Sequence, residues 1–194
     1  ARFGKLVTIV LAKLATLIFR RPESGLRYNF GMDLFGQLGM TATLCPCQSG
    51  RVYTECCAPF HAREAAASTA EELMLSRYSA YVLQEIDYIV DTTVPAQQNL
   101  LDKQDLAAWS KQTQWSGLKV VRHVPFGKLH ALVEFEAYFE ENGQTECHHE
   151  LSAFVKIDRR WYFIDPTVAL PTMKQPCLCG SGKKFKACCG QFFK

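Results

Sequence analysis

The chain has 194 residues, 48% of them hydrophobic, and this is enough for one domain with appendages and an ordinary core. These values exclude a small secreted scaffold that depends on disulfides for its stability. The net charge of +3 is unevenly spread: residues 45–165 hold 11 Lys/Arg against 17 Asp/Glu, whereas residues 166–194 hold five and none. Such an uneven distribution of charge bears on which partners the protein binds more than on its fold.

Residues 1–39 differ from the rest of the chain and are interpreted as a leader. The apolar stretch over residues 5–19 is interrupted by lysines and is shorter than the roughly 20 residues that a spanning helix needs. One expectation is an amphipathic helix on the domain or on a membrane surface. The other is that translation starts at Met40 or Met32, so that the leader is never made.

Eight of the nine cysteines lie in two copies of one motif, residues 45–57 and 177–189. Each copy reads C-x-C, eight residues, then C-C, with a Ser-Gly turn that lets the backbone fold tightly. This spacing suits a closed tetrahedral thiolate site with no open position. The predicted ligands are Cys45, Cys47, Cys56 and Cys57 for the first site and Cys177, Cys179, Cys188 and Cys189 for the second.

Disulfides are the alternative use of these cysteines. Adjacent residues such as Cys188 and Cys189 rarely bridge each other, and a C-x-C pair is also poorly placed for a relaxed bridge. Nothing in the chain resembles a cleaved secretory signal, so we expect a cytoplasmic protein with reduced thiols. We predict one zinc ion for each quartet, with iron as an alternative because four thiolates also suit it. His61 could replace Cys57 as a ligand, but the complete cysteine set makes this unnecessary.

Helical periodicity runs from residue 69 to residue 111. Thr69 and Glu72 form a capping-box pattern at its start. The first helix has an apolar face at helical spacing, made of Leu73, Leu75, Tyr78, Val82 and Leu83.

Two further helices are predicted before the pattern changes. A short helix over residues 86–90 is ended by Pro95, and a third over residues 100–109 turns three apolar side chains inward. These three are Leu101, Leu106 and Trp109.

Strand patterns occupy residues 114–168. Strands are predicted over residues 115–124, 129–140, 145–158 and 161–164, with Asn142-Gly143 as a strong hairpin signal. In the second strand one face carries Leu129, Ala131, Val133, Phe135, Ala137 and Phe139. Helices followed by a curved antiparallel sheet give an α+β layout.

The second motif, CLCGSGKKFKACC, resembles the SEC-C motif, the zinc knuckle at the C-terminal end of the SecA translocation motor. One copy at each end of a domain of this size is similar to the YchJ-like family, over residues 40–191. The first copy departs from the motif at Gln48, where Gly is usual, and the second at Leu178, where Pro is usual. The resemblance implies an NTF2-like cone between two knuckles, with an N-terminal knuckle at 40–61, the domain at 62–170 and a C-terminal knuckle at 171–194.

The central domain offers few candidates for catalysis. NTF2-like cones can hold an acid–base pocket, and Asp165 or His149 is the favoured residue for it. The full set of candidates is His123, His130, His148, His149, Glu150 and Asp165. Cys147 and His149 share a strand face, but a third metal site there would need ligands from other strands. No nucleophile–base–orienter pattern and no phosphate-binding glycine loop is visible in the sequence.

Two hypotheses of function follow. The first is a non-enzymatic adaptor with two structural zinc sites, whose C-terminal knuckle presents Lys183, Lys184, Phe185 and Lys186 to an acidic protein surface or to RNA. Its resemblance to the SecA knuckle implies a chaperone, ribosome or translocation partner, with no specific DNA binding and with membrane contact only through the leader. The same lysines could instead serve only to offset thiolate charge.

The second hypothesis is a small-molecule binder or acid–base enzyme that uses the cone.

Overall fold

Four antiparallel strands, in the order β1-β2-β3-β4, form the sheet of the central domain. The computed structural model describes residues 43–193, so the predicted leader over residues 1–39 lies outside the described residues. The strands are β1 (Gln114–Phe126), β2 (His130–Glu141), β3 (Gln144–Ile157) and β4 (Arg160–Ile164). The four predicted strands are thus confirmed, with bounds that differ from the prediction by one or two residues.

Two tight turns set the register of the last three strands. Asn142 and Gly143 both have positive φ, at 53° and 76°, as the predicted two-residue hairpin turn requires. Asp158 and Arg159, at 46° and 68°, make a second such turn between β3 and β4. In contrast, β1 is irregular, since its pairing with β2 shifts between Trp115 and Gly117 and again further along the strand.

Between residue 43 and the sheet, the structure has five α-helices. They are α1 (Ala58–His61), α2 (Ala70–Leu83), α3 (Ile86–Asp91), α4 (Pro95–Gln98) and α5 (Lys103–Gln112). Thr69 caps α2 as predicted, because its hydroxyl accepts a hydrogen bond from the backbone N–H of Glu72. The carboxylate of Glu72 accepts a hydrogen bond from the backbone N–H of Ser68. In a capping box it would accept from the N–H of the N-cap residue, which is Thr69. Within residues 43–193 no helix has the length and apolarity to cross a membrane.

The helices begin and end differently from the prediction at two places. Pro95 does not end a helix; it opens α4, where its missing N–H is tolerated in the first turn. The last helix begins at Lys103 because the carboxylate of Asp102 accepts from the backbone N–H groups of Gln104 and Asp105. This cap was overlooked in the sequence.

The main core lies between α2 and the inner face of the sheet. It contains Leu73, Met74, Tyr78, Ile89, Leu106, Ala131, Val133, Ala137 and Phe154. Three residues that the sequence analysis placed on apolar faces are exposed, Leu83 and Trp109 to 40% each and Leu129 to 55%. Leu83 is the last residue of α2, and Leu129 lies in the turn just before β2. Trp109 is partly exposed but contacts Tyr81 and Trp115 edge-on.

A second core lies on the opposite side of the sheet, against the C-terminal knuckle. Val94, Ala153, Val155 and Ile164 pack there against buried residues of the second motif, which are Cys177, Phe185, Cys188 and Cys189. The first cysteine quartet forms a separate, smaller cluster with Tyr53 and Leu75. The architecture is therefore an α+β domain with a cysteine cluster at each end, as predicted.

Candidate metal centres

The first quartet is positioned by a tight turn and a short helix. A bridge between Leu44 and Val52 closes the turn, and the N–H of Cys45 donates to the carbonyl of Arg51 at 2.8 Å. A 3-10 helix, Tyr53–Glu55, then brings the last two cysteines back to the first two.

The second quartet repeats this framework bond by bond. Pro176 and Lys184 form the bridge, and the N–H of Cys177 donates to the carbonyl of Lys183 at 2.8 Å. The 3-10 helix Phe185–Ala187 delivers Cys188 and Cys189. The repeated sequence spacing thus produces the same local structure twice.

The sulfurs of each quartet lie within 4.8 Å of one another. Individual separations are 3.5 Å for Cys47 and Cys56, 3.5 Å for Cys179 and Cys188, and 4.0 Å for Cys188 and Cys189. A tetrahedral ion with metal–sulfur bonds near 2.3 Å requires sulfur separations of about 3.8 Å. All eight cysteines are free thiols, and seven of them are buried. The donor set therefore fits a metal ion in each quartet.

Hydrogen-bond donors surround the sulfurs, and they differ between the quartets. Ser49 Oγ and Arg51 Nη2 lie 3.2 Å and 3.3 Å from the sulfur of Cys56. In the second quartet the equivalent serine, Ser181, lies 3.4 Å from the sulfur of Cys188. Within residues 43–193, however, no sulfur accepts a hydrogen bond from Lys183, which stands at the position of Arg51. Direct hydrogen bonding by the basic residue of the motif is therefore seen in the first quartet and not in the second.

The thiol pKa values are shifted in both directions within the quartets. Hydrogen bonding from Cys57 lowers the pKa of Cys47 to about 4, whereas the same contact and burial raise the pKa of Cys57. In the second quartet burial raises the pKa of both Cys177 and Cys189. Each cluster thus holds some thiols that resist ionisation, because several buried anions in contact repel one another. A divalent ion removes this repulsion and displaces the protons.

His61 is not a ligand of the first quartet. Its Nε2 lies 2.9 Å from the carbonyl of Ser76 and its Nδ1 lies 2.9 Å from the hydroxyl of Tyr53. Because a carbonyl only accepts, Nε2 carries the proton and Nδ1 accepts from Tyr53. Burial lowers the pKa of His61, which agrees with a neutral ring that ties α1 to α2.

The predicted partner surface needs one correction. Lys183, Lys184 and Lys186 are exposed, but Phe185 is only 1% exposed and stacks on Phe193 at 6.1 Å between ring centroids. Phe185 therefore belongs to the core of the C-terminal knuckle and does not offer its ring to a partner. The remaining basic surface, Lys183, Lys184 and Lys186, is called the lysine surface below.

The two pocket candidates, His149 and Asp165, are each engaged by a different hydrogen-bond partner. His149 is exposed and bonds to Glu134 at 2.8 Å. The carboxylate of Asp165 accepts from the backbone N–H and hydroxyl of Thr167, as in an ordinary turn. A cavity of about 70 Å³ lies instead between Phe60 and Trp161.

Cys147 and His149 are ordinary strand residues in the part of the chain that the structure describes, in agreement with the sequence analysis, which disfavoured a third metal site there. Among residues 43–193, Cys147 and His149 do not belong to any group of three or more close metal-ligating side chains. Neighbouring strands supply other partners, since His149 pairs with a carboxylate and Cys147 lies exposed opposite Tyr138.

His130, one of the candidates for a pocket in the cone, lies instead beside the second quartet. His130 Nε2 lies 3.5 Å from the sulfur of Cys189 and 3.6 Å from that of Cys188. The strand pattern places His130 with Leu132 on the face opposite the main core. Leu132, an apolar residue on that face, indicates that another segment packs on this end of the sheet. The sequence pattern does not identify that segment as the C-terminal knuckle.

Family models match the chain in three places. The middle NTF2-like domain of YchJ matches residues 69–166, and the SEC-C motif matches residues 43–59 and 173–191. A UPF0225 protein of Actinobacillus succinogenes is 58% identical over 154 residues, which is 79% of this chain and 99% of that protein. One from Haemophilus influenzae is 56% identical, over 76% of this chain and 92% of its own length.

Two solved structures share the fold. A SEC-C motif-containing protein of Psychrobacter arcticus is 49% identical, with a TM-score of 0.73, and the match covers 76% of this chain and 96% of that one. Another from Rhodopseudomonas palustris is 41% identical, with a TM-score of 0.59, over 62% and 94% of the two chains. These similarities place an NTF2-like domain between two SEC-C motifs, and the chain belongs to the UPF0225, YchJ-like family.

Proposed function

We propose that this protein is a zinc-binding adaptor in which two structural four-cysteine centres hold interaction modules at the ends of an NTF2-like domain. The observation that carries the proposal is the convergence of eight cysteine sulfurs into two quartets with the same hydrogen-bond framework. Closed four-thiolate sites leave no position for substrate or water, so their role is structural. Zinc suits such sites, with iron as the alternative metal. Reduced thiols at this density suit the cytoplasm.

The lysine surface supports a partner of opposite charge. Its three side chains are exposed on one short stretch, and residues 166–194 contain no acidic residue to pair with them. We propose an acidic protein as the partner, because positive charge grouped on one face steers association with an acidic surface. The SEC-C similarity favours a chaperone, ribosome or translocation protein as that partner.

Metal analysis tests the first part of the proposal. Protein purified without added metal should carry two zinc ions per chain, measured by atomic spectroscopy. Fewer than one ion per chain would contradict the structural role of the quartets. If iron is found in place of zinc, the proposed two-centre architecture stands and only the identity of the metal changes.

A charge-reversal experiment tests the partner. Replacing Lys183, Lys184 and Lys186 by Glu should abolish capture of the partner from lysate while both metal ions stay bound. A control with the same charge change, Lys103, Lys111 and Arg159 replaced by Glu, should capture normally, since these side chains are exposed on the central domain. Equal capture by both variants would contradict the lysine surface, and loss of capture after ribonuclease treatment would identify RNA as the partner.

A row of polar residues favours a second candidate function, small-molecule binding or acid–base chemistry in the cone. His148 Nε2 lies 2.9 Å from Glu150, and the hydroxyl of Ser152 donates to the other oxygen of the same carboxylate. Burial opposes ionisation of Glu150, but these two bonds hold its pKa below the ordinary value. Glu150 pairs with Phe135, which packs against the main core, so the row faces the helices. A ligand whose binding is lost in Glu150→Gln would favour this function.

A further inference from the structure

The ring of His130 lies between the central domain and the C-terminal knuckle. His130 is the first residue of β2 and pairs with Val155, a member of the second core. Its ring contacts Phe192 at 5.4 Å between centroids, and Phe192 also contacts Phe126 at 5.2 Å. The imidazole thus packs against Phe192, which is itself packed against Phe126 of β1.

The outer nitrogen of this ring meets the sulfurs of the second quartet. Nε2 lies 3.5 Å from Cys189 Sγ and 3.6 Å from Cys188 Sγ, which are ordinary distances for an N–H group that donates to sulfur. The quartet already supplies four ligands, so a further nitrogen ligand is not needed to complete a tetrahedral site. We propose that His130 belongs to the second metal centre as a positioning residue whose N–H donates to the sulfurs of Cys188 and Cys189.

A comparison of the two centres supports this assignment. In the first centre the cationic donor, Arg51, comes from within the motif, five residues from Cys56. In the second centre the residue at that position, Lys183, makes no such bond, and the nitrogen donor, His130, lies 58 positions before Cys188. Each motif supplies a serine hydroxyl to its own sulfurs, but only the first centre also has a nitrogen donor from within its motif. The second centre receives a nitrogen donor only when the knuckle is docked on the sheet.

This arrangement links metal binding to docking. Hydrogen bonds to metal-bound thiolates stabilise their negative charge, and removal of such a bond typically weakens metal affinity 10- to 100-fold. By the same linkage, metal loading of the second quartet strengthens the attachment of the C-terminal knuckle to β2. The inference rests on the metal-binding part of the proposed function and extends it by making the second centre responsive to the central domain.

The experiment uses the full chain loaded with two ions and titrated with a competing chelator. His130→Ala should release one of its two ions at roughly 10- to 100-fold lower chelator concentration, with the other ion unchanged. His130→Gln, which keeps an N–H donor near the position of Nε2, should recover most of the affinity. Lys183→Ala is the matched control inside the knuckle and should behave as the wild type.

A spectroscopic measurement separates the proposed bond from other roles. In cobalt-loaded protein, loss of the bond in His130→Ala should move the sulfur-to-cobalt charge-transfer band to lower energy and leave the ligand-field bands of four thiolates unchanged. Changed ligand-field bands would overturn the proposal, because His130 would then be a ligand. Unchanged affinity, or equal loss of both ions, would overturn it too. Wild-type protein that binds no metal would instead contradict the proposed function.

Discussion

At the scale of single residues, Gln48 is the departure from the SEC-C motif that has a structural effect. Its φ is +63°, and the equivalent residue of the second motif, Gly180, has φ of +74°. The turn thus demands a left-handed conformation in both copies, and the first copy adopts it with a side chain present. A non-glycine residue in this region is strained by about 1 kcal/mol or more.

This strain predicts that Gln48→Gly stabilises the protein. We expect the free energy of unfolding to rise by about 1 kcal/mol, measured by denaturant titration of the metal-loaded protein. The reciprocal change, Gly180→Gln, should lower it by a similar amount, since a Cβ atom there meets no atom within 4 Å and only the backbone is affected. An unchanged stability in both variants would show that these turns are not strained.

His61 predicts a pH dependence of stability. Burial holds its folded pKa below the ordinary value, so as pH falls the unfolded chain takes up a proton first, near pH 6.5. The stabilisation is therefore complete above about pH 6.5 and is lost as pH falls towards the folded pKa. Wild-type protein should lose more unfolding free energy between about pH 7.5 and about pH 5.5 than His61→Gln, which cannot ionise. Parallel losses in the two proteins would contradict a neutral buried His61.

At the scale of elements, the two knuckles differ just after the C-C pair. The first continues into α1 with Ala58, whereas the second continues with Gly190 into the 3-10 helix Cys189–Phe192. A Cβ atom at Gly190 would lie 2.7 Å from both a ring carbon and the carbonyl oxygen of Phe185. The glycine therefore permits the close approach that buries Phe185 and completes the second core.

Gly190→Ala should consequently damage the second knuckle. Because the obstructing oxygen belongs to the backbone, the helix must shift, and we expect a loss of about 1–3 kcal/mol in stability with weaker binding of one metal ion. Thermal unfolding and chelator titration measure the two effects. Ala58→Gly, at the same position of the first knuckle, should cost about 1 kcal/mol or less and keep both ions. A fully stable Gly190→Ala protein would contradict the close packing.

The sequence was sufficient to predict the elements that follow a local rule. The period-two alternation in β2, the Asn142-Gly143 turn and the Thr69 cap are local signals, and the structure confirms each of them. Both cysteine quartets were found for the same reason, since one motif of fixed spacing holds all four residues. The burial of Phe185 and the contact of His130 with sulfur could not be predicted, because both arise from docking between segments distant in sequence.

At the scale of the whole molecule, the two cysteine clusters are attached unequally. The first packs with Tyr53 and Leu75, and the hydroxyl of Ser79 on α2 lies 3.7 Å from the sulfur of Cys45. The second shares a core with four buried residues of the central domain and contacts His130. The C-terminal knuckle is therefore part of the sheet's packing, whereas the N-terminal knuckle adjoins the helices.

Paired cysteine variants test this inequality. Cys56→Ser with Cys57→Ser, and Cys188→Ser with Cys189→Ser, should each lose one metal ion. The second pair should lower the Tm of the central domain by roughly 5 °C more than the first, because loss of its knuckle exposes Val94, Val155 and Ile164 to water. Calorimetry with hydrogen exchange in β3 measures the difference. Equal effects on Tm would contradict the shared core.

The margins of the sheet have a consequence for self-association. β4 is bordered by the segment before α4, since Val94 donates to the carbonyl of Phe163 at 2.8 Å and Phe163 donates back to Thr92. At the other margin, the two register shifts and Pro125 in β1 interrupt the row of groups that an incoming strand would need. Neither margin is a straight template for strand addition, so edge-to-edge stacking of intact molecules is disfavoured at both margins of the sheet.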